Sequence, residues 1–153
     1  SDYQHMGTTL VCAVTTPEWA MIGNIGDSRA YHITAEGIFQ ISRDHSVVES
    51  MVAKGDLTPL EARTHPNRNL ITRALGPDIH AKADTFELPW HKDEFLLLCS
   101  DGLVNTVSDQ EMLFEVLHDG DVNECLDHLL QISLQRGAPD NITAVLLLNE
   151  EGR

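Results

Sequence analysis

Three short stretches of the 153-residue chain place carboxylates where they could do chemistry. Phe95-Leu96-Leu97-Leu98-Cys99-Ser100 runs into Asp101-Gly102, which puts a carboxylate at the end of an apolar strand. The glycine after it lets the backbone turn or come close to a ligand. Pro139-Asp140-Asn141 precedes the apolar run Ile142 to Leu148, so Asp140 stands at a strand start. If the two strands are antiparallel neighbours, Asp101 and Asp140 converge. Two desolvated carboxylates repel each other unless a proton or a cation lies between them. Hard oxygen donors select Mg²⁺ or Mn²⁺ over zinc. On spacing alone, a turn at Asp101 and a capped bend at Asp140 explain the same residues equally well. Arg43-Asp44-His45-Ser46 lies between a strand and a helix, where Asp44 or Ser46 reads most simply as an N-cap. Asn24-Ile25-Gly26-Asp27-Ser28-Arg29 reads as a tight turn that Asp27 and Arg29 brace by hydrogen bonds.

The elements that must hold these residues follow from pattern. Thr8 to Val14, Trp19 to Ile25, Ala30 to Ile33 and Ile38 to Ile41 are short apolar, β-branched runs that together predict an antiparallel meander. Ser46 to Lys54 has helical spacing and stops at Gly55. Thr58-Pro59-Leu60-Glu61 supplies a cap, a proline at the first helical position and a glutamate at the third. Ala81 to Leu88 and Glu94 to Cys99 predict two more strands. Ser108-Asp109-Gln110-Glu111 and Asp121-Val122-Asn123-Glu124 start two helices, the second ended by Gly137. Ile142 to Leu148 predicts a last strand buried on both faces. Strands first, then helices, then one returning strand indicate an α+β layered fold in a single domain.

Composition narrows the function classes. A formal charge of −14 repels nucleic-acid phosphates and anionic lipid, so neither nucleic acid nor a membrane surface is an expected partner. No apolar run approaches the roughly 20 residues of a membrane helix. Ser1-Asp2-Tyr3-Gln4-His5 lacks the basic-then-apolar pattern of a signal peptide, which reads as cytoplasmic. Cys12, Cys99 and Cys125 form no CxxC pair. The first two sit in apolar runs, as small buried hydrophobes do.

Met6-Gly7-Thr8-Thr9, Gly26-Asp27-Ser28-Arg29-Ala30, Asp44-His45-Ser46, Leu70-Ile71-Thr72-Arg73-Ala74-Leu75-Gly76, Ser100-Asp101-Gly102-Leu103 and Asp140-Asn141-Ile142-Thr143 follow one another over nearly the whole chain. In this order they resemble the metal-dependent, type 2C serine/threonine protein phosphatases in their bacterial form. The resemblance implies a four-layer α-β-β-α sandwich of antiparallel sheets, truncated here at the N-terminus. It implies two Mn²⁺ or Mg²⁺ ions, with a third possible, that activate water for direct attack on phosphorus without a phosphoenzyme. Carried over residue by residue, Asp101 and Asp140 fall on metal ligands. Asp44 falls on a ligand for the third metal, shared with Asp101. Asn141 and Gly102 lie beside the centre. The segment at about 47–69 looks like the family's flap next to the active site.

The family's phosphate-binding arginine, general acid and bridging aspartate belong to a segment that these residues do not match, and no catalytic role is placed on Asp2 or any other residue. The expected substrates are phosphoproteins made by a serine/threonine kinase. The chain alone is expected to be inactive and to pair, through surface that the truncation exposes, with the missing segment, with a second copy of itself or with another protein. A non-catalytic, phosphatase-like binding module is the alternative reading, and a generic divalent-cation-binding domain a weaker third.

Overall fold

The computed structural model describes Tyr3 and residues 5–153. Asp2 lies outside the described residues. Two antiparallel sheets face each other. The first holds β1 (Leu10–Thr15), β2 (Trp19–Ile25) and β5 (Asp84–Pro89) in the order β1-β2-β5. The second holds β3 (Arg29–Thr34), β4 (Gly37–Gln40), β6 (Phe95–Cys99) and β7 (Ala144–Leu148) in the order β4-β3-β6-β7.

The expected meander is broken in the middle. β1 and β2 pair in one sheet, β3 and β4 in the other, and the chain crosses between sheets at Gly26-Asp27-Ser28. Alternation of apolar residues specifies a half-buried strand but not which neighbour it pairs with.

The second sheet is buried on both sides, which explains the unbroken apolar run of β6. Leu96 and Leu98 face the first sheet with Ala20, Ile22, Ala30 and Leu88. Leu97 and Cys99 face the helices α3 (Asp101–Val104), α4 (Asp109–His118) and α5 (Val122–Gln135) through Leu103, Met112 and Leu129. Tyr31, Leu96 and Leu97 are wholly buried; each such side chain contributes about 2 kcal/mol of transfer free energy. β7 is an edge strand with Val145 half exposed, not the doubly buried strand expected from its composition.

Among the described residues no helix packs closely on the outer face of β1-β2-β5, where Leu10, Val14 and Trp19 are exposed. Three of the four expected layers are therefore present. Cys12 is exposed on this face, against expectation, because the strand has its neighbours on one side only. Among the described residues no helix is long and apolar enough to cross a membrane.

The segment between β4 and β5 carries α1 (Val47–Lys54) and α2 (Pro59–Thr64). Ser46 caps α1 through the Glu49 N–H, and Gly55 ends it in the left-handed conformation at φ 81°. Thr58 and Glu61 form a complete capping box on α2. The segment closes on itself: the Val47 N–H donates to the Leu70 carbonyl at 3.0 Å, and Ser46 bridges Ile71.

Candidate metal centre

β6 and β7 pair antiparallel with Cys99 opposite Ala144, so the end of one lies beside the start of the other. The Ser100 N–H extends this ladder to the Thr143 carbonyl at 2.9 Å, and the Thr143 N–H donates to Ser100 Oγ at 3.0 Å. Asp101 then opens the one-turn helix α3, and Asp140 stands four residues before β7. The ladder places Asp101 and Asp140 at the same end of the sheet. Asp101 is held above the usual carboxylate range, first by burial and then by the negative charge of Asp140. Gly102 is required here because a Cβ would overlap the Asn141 carbonyl oxygen. The Asn141 N–H in turn donates to Asp140 Oδ1 at 2.7 Å. Gly102 and Asn141 thus set the seam through their backbones.

A third carboxylate, Asp27, was read from the sequence as a turn brace. It sits at the crossing between sheets, 9% exposed, with its pKa pushed up to about 6. Burial is the largest cause, followed by the charges of Asp101 and Asp44. A glycine-aspartate-serine turn flanked by two apolar strands is the sequence signal for such a buried position, but solvent-facing turns share it.

Asp44 is not an N-cap; Ser46 has that role. Arg29 grips Asp44 instead, with Nε donating to Oδ1 at 2.9 Å and Nη2 to Oδ2 at 2.8 Å. Arg29 Nη1 also donates to the Tyr31 hydroxyl at 2.9 Å, which donates to Asp109 Oδ1 at 3.2 Å. The guanidinium is thereby committed and does not neutralise Asp27 or Asp101 by contact.

Asp27, Asp44 and Asp101 line one cavity of about 560 Å³, roofed by Leu60, Arg63 and Arg68 from the α1–α2 segment. Asp140 and Asn141 are exposed and do not line it. Oxygen-only donors, with Asp27 and Asp101 raised by burial and by neighbouring carboxylate charge, suit a hard divalent cation. The set is nevertheless open. Among the described residues, the group of three ligand-type side chains whose donor atoms all lie within 4.8 Å is Glu115 on α4, Asp119 just past its end and His128 on α5. There the pair Asp119–His128 is already joined at 3.0 Å, which accounts for the cluster without an ion.

A sandwich of antiparallel sheets with aspartates gathered where strands cross or meet defines the class to which this chain's fold and site belong. The protein phosphatase 2C family model matches residues 1–146, and the chain belongs to that family. It is 36% identical to the serine/threonine phosphatase stp of Listeria monocytogenes over 155 residues, which cover 99% of this chain and 62% of the relative. The structure of the Mycobacterium tuberculosis serine/threonine phosphatase PstP/Ppp superposes with a TM-score of 0.92 at 35% identity, covering 98% of this chain and 63% of that one. The catalytic domain of PstP, solved in complex with two manganese ions, matches with a TM-score of 0.83 at 34% identity, covering 94% of this chain and 59% of that one. The chain spans about three-fifths of the length of the curated relatives it matches.

Proposed function

We propose that this chain supplies the metal-holding seam of a protein serine/threonine phosphatase acting on phosphoserine and phosphothreonine. The observation that carries the reading is the placement of Asp101 and Asp140 at the same end of the β6–β7 ladder, beside the buried Asp27. Family membership and the relatives' phosphatase names support it.

In this reading Asp101 and Asp140 hold one divalent cation, Mn²⁺ or Mg²⁺. Asp27 shares a further cation with Asp101, the place expected for Asp44, since Asp44 is committed to Arg29. Bound cations would neutralise phosphate oxygens and lower the pKa of water for in-line attack. Arg29 and Asp44 keep the wall of the cavity fixed. The segment at about 47–69, with Arg63 and Arg68, acts as a flap that receives the phosphoprotein. The donor set is open, and we assign the remaining ligands and the phosphate-binding group to sequence that the longer relatives possess. By itself the 153-residue chain is then inactive. The acidic charge fits a cytoplasmic setting.

The test is Mn²⁺-dependent phosphate release from a phosphothreonine peptide, run on this chain and on a form at the length of its relatives. Release by the longer form only, lost in Asp101→Asn, supports the reading. Peptide binding without turnover by the longer form favours a binding module instead.

A further inference from the structure

His45 is the buried ring that joins the two sheets at the crossing. It is 5% exposed. Its backbone N–H donates to the Gly26 carbonyl at 2.9 Å, and its Nδ1 accepts the Gly26 N–H at 3.0 Å. Its carbonyl accepts the Thr72 N–H at 2.8 Å, at the base of the α1–α2 segment. Because Nδ1 is an acceptor, the proton of the neutral ring is on Nε2, which donates to Asp84 Oδ2 at 2.7 Å. Asp84, the first residue of β5, is held from its other side by Arg73 at 3.2 Å.

Gly26 takes φ 106°, and a Cβ there would collide with the Thr9 side chain. The turn that presents Asp27 therefore depends on a glycine, whose free backbone is held in one conformation by a fixed partner for its amide.

We propose that His45 is the positioning residue for Asp27: Asp84 fixes the ring tautomer, and the ring's Nδ1 fixes the Gly26 amide from which the Asp27 carboxylate projects. The proposal rests on Asp27 being a cation ligand, and it is separable from turnover because its readout is metal binding. Groups that orient a ligand from behind typically set metal affinity within about 10- to 100-fold.

The experiment is Mn²⁺ titration of this chain by isothermal calorimetry, with thermal unfolding as a parallel check on the fold. Asp84 lies at a strand end with its side chain 38% exposed, so Asp84→Ala is compatible with folding. It is expected to weaken the Asp27-dependent binding by about 10-fold. Asp84→Asn, which can still accept from Nε2, restores most of it. His45→Asn keeps an acceptor near the Nδ1 position and stays within about threefold of Asp84→Ala, whereas His45→Gln, which reaches toward Asp84 only, falls to the level of Asp27→Asn. Unchanged affinity in Asp84→Ala overturns the proposal. So does a loss that follows thermal stability alone, equal in His45→Asn and His45→Gln. If the parent chain binds Mn²⁺ with no dependence on Asp27, the assignment of Asp27 fails and this proposal with it. An inactive longer form that still shows the expected binding pattern would sink the phosphatase reading alone.

Discussion

Arg29 closes a two-toothed fork on Asp44, with nitrogen–oxygen distances of 2.9 and 2.8 Å, and so leaves Asp27 and Asp101 without a contacting cation. Such pairs are short and directional. Of the four aspartates that line the cavity, Asp27, Asp44, Asp101 and Asp109, Arg29 grips Asp44 alone, so negative charge is left unbalanced around Asp27 and Asp101. A bound divalent cation removes the imbalance.

The first prediction concerns Asp27. Its folded pKa of about 6 lies above the usual 3.8, so its ionised form costs stability at neutral pH, and that cost is relieved as pH falls through 6 toward 3.8. Asp27→Asn is expected to stabilise the metal-free chain at pH 7 by about 1–2 kcal/mol, allowing for partial solvent screening. The same change should weaken stabilisation by Mn²⁺. Urea unfolding with and without Mn²⁺ checks both. A destabilised metal-free variant would count against the unbalanced charge.

Gly102 gives a second. A methyl group there would meet the Asn141 carbonyl oxygen and push apart the ends of β6 and β7. Gly102→Ala should cost about 2 kcal/mol, the range for forced contacts with backbone. It should also weaken Mn²⁺ binding, since Asp101 and Asp140 separate. Unfolding curves indistinguishable from the parent chain would contradict the close approach.

The seam was legible because each half was bracketed by apolar sequence. Phe95 to Cys99 ends on Asp101 and Ile142 to Leu148 begins after Asp140, so only the pairing had to be supplied. The helix starts were legible through local chemistry: Thr58 with Glu61 and Ser108 with Glu111 form the reciprocal boxes their spacing predicts. Asp121 caps α5 through the Asn123 and Glu124 N–H groups. What escaped the sequence is non-local. Nothing in Trp19 to Ile33 says that the chain changes sheets at Gly26-Asp27-Ser28, and so nothing marked Asp27 as buried. Similarly, the apolar content of Ala144 to Leu148 does not reveal that β7 is an edge, and Asp44 looked like a cap because its partner Arg29 lies fifteen residues away, at the start of the neighbouring strand β3.

A third prediction is a pH dependence away from the site. Glu111 is held near about 2, first by hydrogen bonds from Arg136, at 2.6 and 2.9 Å, then by the Ser108 N–H. A depressed carboxylate contributes stability that is present above its usual pKa of 4.5 and lost as pH falls toward 2. Arg136→Gln should flatten the acid limb of the stability curve between those values and lower stability throughout the range above pH 4.5, where the contribution is fully present. An unaltered acid limb would assign the dependence to other carboxylates.

The uncovered face of β1-β2-β5 supplies a fourth. Leu10, Val14 and Trp19 are 48%, 61% and 41% exposed on a sheet with no helix over it among the described residues. Contiguous apolar surface of this kind associates. The chain alone should sediment as a concentration-dependent mixture and bind an apolar dye, and Val14→Lys should reduce both. A monodisperse monomer that binds no dye contradicts the proposal of self-association.

The central claim is that the β6–β7 seam and its neighbouring turn, not the Glu115-Asp119-His128 cluster, hold the divalent cation. Mn²⁺ titration of the chain, followed by the loss of the free-ion electron paramagnetic resonance signal, tests it directly. Binding is expected to weaken by at least about 10-fold in Asp101→Asn and to persist in Asp119→Asn. Binding that survives Asp101→Asn and disappears with Asp119→Asn would contradict it.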